Sequence, residues 1–307
     1  MSLNKNTKEL LETLIAENEY LSYSVKRCIT NCLNDDTKAS NADFVTRIKK
    51  KLTEQSVKLP TNIEGKVICY SPENFITERY YTQQNWINSV LQSIIKMKAV
   101  AEMMASMRIH YRNATILYGE SGTGKTEFAR YVAYRLNLPL FYLNFSSVID
   151  SLLGNTGRNI ANIFNYVKKH ECVFMLDEVD CIAGSRNGAD RAEKEFSRVT
   201  ITLMQEFDML PNNIILIAAT NRIDIIDDAV LNRFSVKQKI ERLSLDDNRA
   251  FAQFYVKAIQ AESYITDSDI AECIDNNDLS QRQVVTKIIQ LLGDKLYQSL
   301  EGDSTCR

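Results

Sequence analysis

The sequence predicts an α/β protein: a parallel five-stranded sheet sandwiched between helices, preceded by a small helical module and followed by a small all-helical lid. Three observations carry this. Short apolar runs end abruptly at Tyr118-Gly119, Leu176-Asp177 and Ala219-Thr220, the pattern of strands covered on both faces. Segments with helical spacing alternate with these runs, as a parallel sheet requires. From about Glu241 the pattern becomes purely helical.

The most informative stretch is Ala114 to Phe128. A β-prone run, Thr115 to Tyr118, meets Gly119, and Lys125-Thr126 opens a helical pattern through Phe128, Val132 and Leu136. Gly119, Glu120, Ser121, Gly122, Thr123, Gly124, Lys125 and Thr126 fit the G-x-x-x-x-G-K-[ST] phosphate loop in its strand-then-helix context. The three glycines let consecutive backbone N–H groups face one anion, and the helix adds its positive dipole end. Lys125 has the reach for β- and γ-phosphates, and the Thr126 hydroxyl suits Mg²⁺. The pattern predicts a nucleoside triphosphate site.

The chain has 307 residues, a prior for about two domains, and is 45% hydrophobic and 25% charged. A net charge of −2 gives no global pull toward nucleic acid or an anionic membrane. No apolar run approaches the roughly 20 residues that span a bilayer. The polar start, Met1 to Lys8, does not resemble a secretory signal, so a cytoplasmic protein with no membrane partner is expected. Seven irregularly spaced cysteines suggest reduced thiols.

Leu10, Leu14, Leu21, Val25 and Cys28 recur at helical spacing over residues 9–33, and Phe44, Ile48 and Leu52 continue in a second helix. Residues 1–60 thus form the helical module; its Lys49-Lys50-Lys51 run reads as a solvated face. Pro60 to Asn74 is a connector with one short strand, Lys66 to Tyr70. Trp86, Val90, Ile94, Met97 and Ala101 mark the next helix, with Met97, Met103, Met104 and Met107 expected as core filler. The sheet strands are expected at 115–118, 140–145, 172–176, 213–219 and 235–240, inside a nucleotide-binding domain over 61–240; the lid covers 241–307.

Asp177 ends the apolar run Cys172 to Leu176, and Glu178 follows it. At the end of a buried strand beside a phosphate loop, Asp177 holds Mg²⁺ through water and Glu178 polarises the attacking water. With both motifs in place, residues 75–295 resemble the AAA+ ATPases, especially the protein-remodelling AAA branch; this implies a P-loop NTPase sandwich that hydrolyses ATP. The most specific part is Ile214 to Phe234, which is similar to the family's second region of homology. By that resemblance Asn221 is the sensor of the γ-phosphate and the attacking water. Arg233 is the arginine finger, reaching the ATP of a neighbouring subunit and implying a homo-oligomeric, hexameric ring. Many members carry two arginines near this position, and here Asn232 leaves one. A salt bridge from Arg233 to Asp227 or Asp228 is the structural alternative.

Ser280-Gln-Arg-Gln-Val284 resembles the lid helix that carries the second sensor, with Arg282 touching the γ-phosphate. Leu152, Leu153 and Gly154 lie where the family keeps its central pore loop; Leu152 takes the place of an aromatic ring, which argues against a threading grip. The polar loop Gly184 to Arg191 is a second candidate pore loop. The leading function is an ATP-driven ring that remodels a protein substrate or complex with an adaptor. The alternative is a DNA-associated AAA+ ATPase, a loader or a regulator of transposition or replication, which the net charge disfavours. A nucleotide switch with little turnover is disfavoured by the presence of Glu178, Asn221 and Arg233.

Overall fold

The computed structural model describes residues 3–17, 23–35, 41–54, 59–148, 155–181, 191–275 and 278–304. Three helices open the chain, α1 (Lys5–Glu17), α2 (Tyr23–Asn34) and α3 (Ala42–Glu54). They share a small core of Leu3, Leu11, Ile15, Ile29, Leu33 and Ile48. The buried face is not the expected one: Leu10 is 59% exposed and Cys28 is exposed. Because α1 ends at Glu17 and α2 begins at Tyr23, the two helices have separate phases, and spacing counted through residues 9–33 as one frame picks the wrong stripe.

The centre of the molecule is a sheet of six strands: β1 (Val67–Tyr70), β2 (Asn113–Tyr118), β3 (Leu140–Asn144), β4 (Val173–Asp177), β5 (Ile215–Thr220) and β6 (Val236–Lys239). Their spatial order is β1-β3-β4-β5-β2-β6. The five strands from β3 to β6 pair in parallel. The sixth departs from expectation: β1 joins the sheet, antiparallel to β3 in the register Val67↔Leu143 to Tyr70↔Leu140. As an edge strand it is covered less, and Ile68 is 49% exposed.

Side-chain alternation sorts the sheet residues into two layers. On one face Ile116, Phe174 and Leu176 pack with Phe164 of α6 (Thr156–Val167) and Phe207 of α7 (Arg191–Asp208). On the other, Leu117, Val173 and Met175 pack with Leu91 of α4 (Asn85–Ser106) and Val132 of α5 (Lys125–Leu136). Burial on α4 stops at Ala101, so the methionines beyond it do not fill the core: Met103 and Met107 are 60% and 62% exposed. A single turn, α8 (Asp228–Leu231), precedes β6.

The lid consists of α9 (Leu245–Ala258), α10 (Asp267–Cys273) and α11 (Gln281–Ser304). Ser244 caps α9, and Thr266 with Asp269 forms a capping box on α10, satisfying N–H groups that the first turns leave open. The lid core holds Phe251, Val256, Ile270, Val284 and Ile288, and also Tyr81 from the connector. Tyr81 meets Phe251 edge-on at 5.4 Å, while its neighbour Tyr80 stacks on Tyr131 of α5 at 4.4 Å. Adjacent tyrosines therefore tie the lid to the sheet domain. Among the described residues no helix is long and apolar enough to cross a membrane.

Candidate active site

β2 is the strand between β5 and β6, and its carboxyl end opens into the phosphate loop. Gly119 has φ +145°, and a Cβ there would lie 2.1 Å from the Ile240 carbonyl oxygen. Gly122 has φ +79°, and its Cβ would meet Ser280 Oγ at 2.8 Å and Arg282 Cβ at 3.0 Å. Both positions demand glycine on backbone and packing grounds together. Thr123 Oγ1 donates to the Glu120 carbonyl at 2.9 Å, bracing the loop from within.

Lys125 begins α5 and is buried. Its ammonium donates to the carbonyls of Gly119 (2.8 Å) and Glu120 (2.7 Å) and to Asn221 Oδ1 (2.9 Å). Burial lowers its pKa below the ordinary lysine value; Asp177 counteracts this in part and the nearby Arg282 charge adds to it. Asn221 is therefore held against the phosphate loop. Its stem is braced as well: Thr220 Oγ1 donates to Asp180 Oδ1 at 2.6 Å and accepts from the Arg222 N–H at 2.9 Å.

Thr126 Oγ1 donates to Asp177 Oδ2 at 3.1 Å, and the Tyr142 hydroxyl donates to the same oxygen at 3.0 Å. The Glu178 N–H donates to Asp177 Oδ1 at 3.0 Å. Glu178 itself has φ +55°, an unusual left-handed conformation for a side chain of its size. Burial, then the Asp177 carboxylate, pushes the Tyr142 phenol up to about 12, so near neutrality it is a donor. A hydroxyl beside a carboxylate is the hard oxygen set that suits Mg²⁺, so the residues present fit that ion. Among the described residues no group of three or more His, Cys, Asp or Glu side chains is placed to hold a metal ion.

The lid closes over this floor. The Arg282 N–H donates to the Gly122 carbonyl at 3.1 Å. Arg242 pairs with Glu120 in the loop and with Asp278 just before α11. Between loop, lid and connector lies a cavity of about 780 Å³. Ser121 to Thr126, Asp177, Glu178, Asn221 and Arg282 all line it, so most of the residues singled out from the sequence share one space. The size falls within that of small-molecule sites.

Arg233 stands apart. Its Nε and one terminal nitrogen donate to the two Asp208 oxygens at 3.1 and 2.7 Å, and the other terminal nitrogen donates to the Ala229 carbonyl at 2.6 Å. The ion pair is thus made to Asp208 at the end of α7 rather than to Asp227 or Asp228. Asp227 instead caps α8 through the Ala229 N–H. Arg112 shares the same carboxylate at 2.8 Å. Leu152, Leu153 and Gly154, and positions 184–190 of the second candidate pore loop, lie outside the described residues.

Sequence reasoning passed over Tyr142, Thr220, Asp180 and Arg242. Only Tyr142 left a signal, a phenol in the otherwise apolar run Leu140 to Leu143, whose hydroxyl looks for a polar partner.

Residues 115–242 match the family model described as ATPase family associated with various cellular activities (AAA). The chain is 28% identical over 225 residues to 26S proteasome regulatory subunit 10B of Dictyostelium discoideum, covering 70% of this chain and 57% of that protein. It is 33% identical over 144 residues to 26S proteasome regulatory subunit 10B homolog A of Arabidopsis thaliana, covering 46% and 36%. Against proteasome-activating nucleotidase 1 of Haloferax volcanii it is 29% identical over 181 residues, covering 57% and 45%. The chain thus spans between 36% and 57% of the length of these relatives. Loop, acidic strand end and sequence similarity agree: this chain carries an AAA ATPase domain, homologous to those of the proteasomal ATPase subunits.

Proposed function

We propose that the chain hydrolyses Mg²⁺-ATP within a ring of its own copies, six by the resemblance, and uses the cycle to remodel a protein partner. The observation that carries this is the convergence of Lys125, Thr126, Asp177, Glu178, Asn221 and Arg282 on one lidded cavity. The loop N–H groups and Lys125 bind the β- and γ-phosphates, which the α5 dipole also favours. Thr126 and Asp177 are the residues that would hold Mg²⁺, which when bound neutralises phosphate charge. Glu178 takes a proton from the attacking water, and Asn221 orients that water. Arg282 meets the γ-phosphate from the lid, so lid position reports the nucleotide state. The base lies toward Ile76, Phe251, Tyr255 and Val285, where connector and lid offer an apolar wall.

Arg233 serves another copy's nucleotide. It precedes β6 at the amino end of the sheet, where the Ser235 N–H bonds the Ala114 carbonyl. From Ala114 to Gly119 the strand rises about 16 Å, which keeps Arg233 from the phosphates of its own chain. The named relatives support a protein as the object of remodelling. Leu152 in place of an aromatic disfavours a tight threading grip.

Lys125→Ala tests the site directly. Losing one partner of a buried charged pair costs ~2 kcal/mol or more, so the Kd of a fluorescent ATP analogue should rise at least about 30-fold. Unchanged affinity would mean that the loop does not bind phosphate.

The first three helices have a core of their own, so we assign them to partner recognition. Deleting residues 1–58 keeps Leu59 on the sheet core. Basal ATP turnover should stay within about a factor of two of the full chain, whereas stimulation by a partner disappears. A truncated chain that no longer binds ATP would move the domain boundary.

A further inference from the structure

The one polar side chain of the Leu140–Leu143 run is aimed at the metal-site carboxylate. Tyr142 stands opposite Met175 in the β3–β4 pairing, and Asn144 stands opposite Asp177. Side chains two apart on a strand share a face, so the phenol of Tyr142 extends along the sheet toward Asp177 and ends 3.0 Å from Oδ2. An ionised carboxylate only accepts, so Tyr142 donates. Asp177 is therefore gripped from three elements: by Tyr142 on β3, by Thr126 on α5 and by the Glu178 N–H in the turn after β4.

The phenol is itself held in place. Its ring meets Tyr70 of β1 edge-on, with centroids 6.2 Å apart. The Arg130 guanidinium lies 4.3 Å over the Tyr70 ring, and Arg130 is tied to Glu127 at 3.0 Å. Packing alone asks only for an aromatic ring here. Phenylalanine would fill the same half-buried space, so what the hydroxyl adds is its bond to Asp177.

Resting on the reading of Thr126 and Asp177 as the cation's residues, we infer that Tyr142 is a positioning residue of the Mg²⁺ site. Its hydroxyl fixes the orientation of the Asp177 carboxylate and lets Oδ2 serve Thr126 and the ion's water shell together. Groups that orient metal ligands from outside commonly change metal affinity by about 10–100-fold when removed.

The test is Tyr142→Phe, read by titrating Mg²⁺ into the chain with a fluorescent ATP analogue, beside the same analogue in EDTA. The Mg²⁺ midpoint should rise about 10-fold, while metal-free nucleotide affinity and thermal midpoint stay at wild-type values. Tyr142→Leu, which also removes the ring, should lower the thermal midpoint and so calibrate plain packing damage. An unchanged Mg²⁺ midpoint in Tyr142→Phe overturns the inference and leaves the nucleotide site standing. Equal losses with and without Mg²⁺ also overturn it, because the phenol would then be only structural. A wild-type chain whose nucleotide binding ignores Mg²⁺ overturns the assignment of Thr126 and Asp177 as well.

Discussion

Glu178→Gln is expected to bind ATP as the wild type does and to lose turnover by about 10²–10⁴-fold, the usual worth of a positioned general base. The geometry explains why binding survives. In the proposed reading Lys125 and the loop carry the phosphates, and Glu178 makes its contact through the backbone, its N–H on Asp177 Oδ1. Glutamine keeps that N–H, the side-chain length and the polar end, and loses only the basic oxygen. The backbone at Glu178 points to function too. A φ of +55° costs on the order of 1–3 kcal/mol for a non-glycine residue, and Glu178 is part of the cavity lining. Phosphate release at saturating ATP, measured beside analogue binding, separates the two steps. The ATP-loaded variant should also persist as an assembled ring on size exclusion. A variant that hydrolyses at the wild-type rate removes Glu178 from catalysis. One that loses binding as well would show that the turn, and not the base, had been damaged.

What the sequence made legible follows from how local each feature is. The phosphate loop is eight consecutive residues, and Asp177-Glu178 ends a continuous apolar run, so both can be read along the chain. The inner parallel strands β2, β3, β4 and β5 announce themselves because burial on two faces demands apolar runs, whereas β6 at the edge reads Val-Lys-Gln-Lys. The direction of β1 leaves no such mark: Val67 to Tyr70 has the composition of a strand, but only its pairing with β3 makes it antiparallel. Methionines on α4 looked like core because spacing says which face a residue occupies, not how far the core extends along the helix. Contacts between distant residues were the least legible. Arg242 bridges Glu120 and Asp278, and Tyr81 sits in the lid core although it precedes the sheet domain's first helix. Arg233 found its carboxylate on Asp208, at the end of another helix, while the nearer Asp227 was taken up as a cap.

That ion pair sharpens the expectation for Arg233→Ala. The fork of Arg233 is filled by Asp208 and the Ala229 carbonyl, so service to a neighbour requires it to leave Asp208. The Asp208 side chain is 45% exposed and the Arg233 side chain 23%, so this two-point pair costs more to leave than the roughly 0–1 kcal/mol of a fully exposed one, on the order of 1–3 kcal/mol. Arg112, already on the same carboxylate at 2.8 Å, remains to neutralise it. An arginine finger is worth about 10³–10⁵ in kcat, or ~4–7 kcal/mol, so the exchange still favours the phosphate. Arg233→Ala should therefore bind ATP nearly normally, melt within a few degrees of wild type and turn over at least about 10³-fold more slowly. If the arginine is only a structural partner of Asp208, the loss in rate will be slight and the thermal midpoint will carry the effect. Wild-type specific activity should climb with protein concentration and level off once assembly is complete, because anything that favours the assembled state follows mass action. Mixing variants makes the test decisive: a Lys125→Ala copy holds ATP poorly but can lend its Arg233 to a neighbour whose loop is intact. Rings of Lys125→Ala with Arg233→Ala copies should recover activity that neither shows alone. Absence of recovery, in rings shown to be mixed, counts against action between copies, and concentration-independent turnover by a proven monomer would sink the ring.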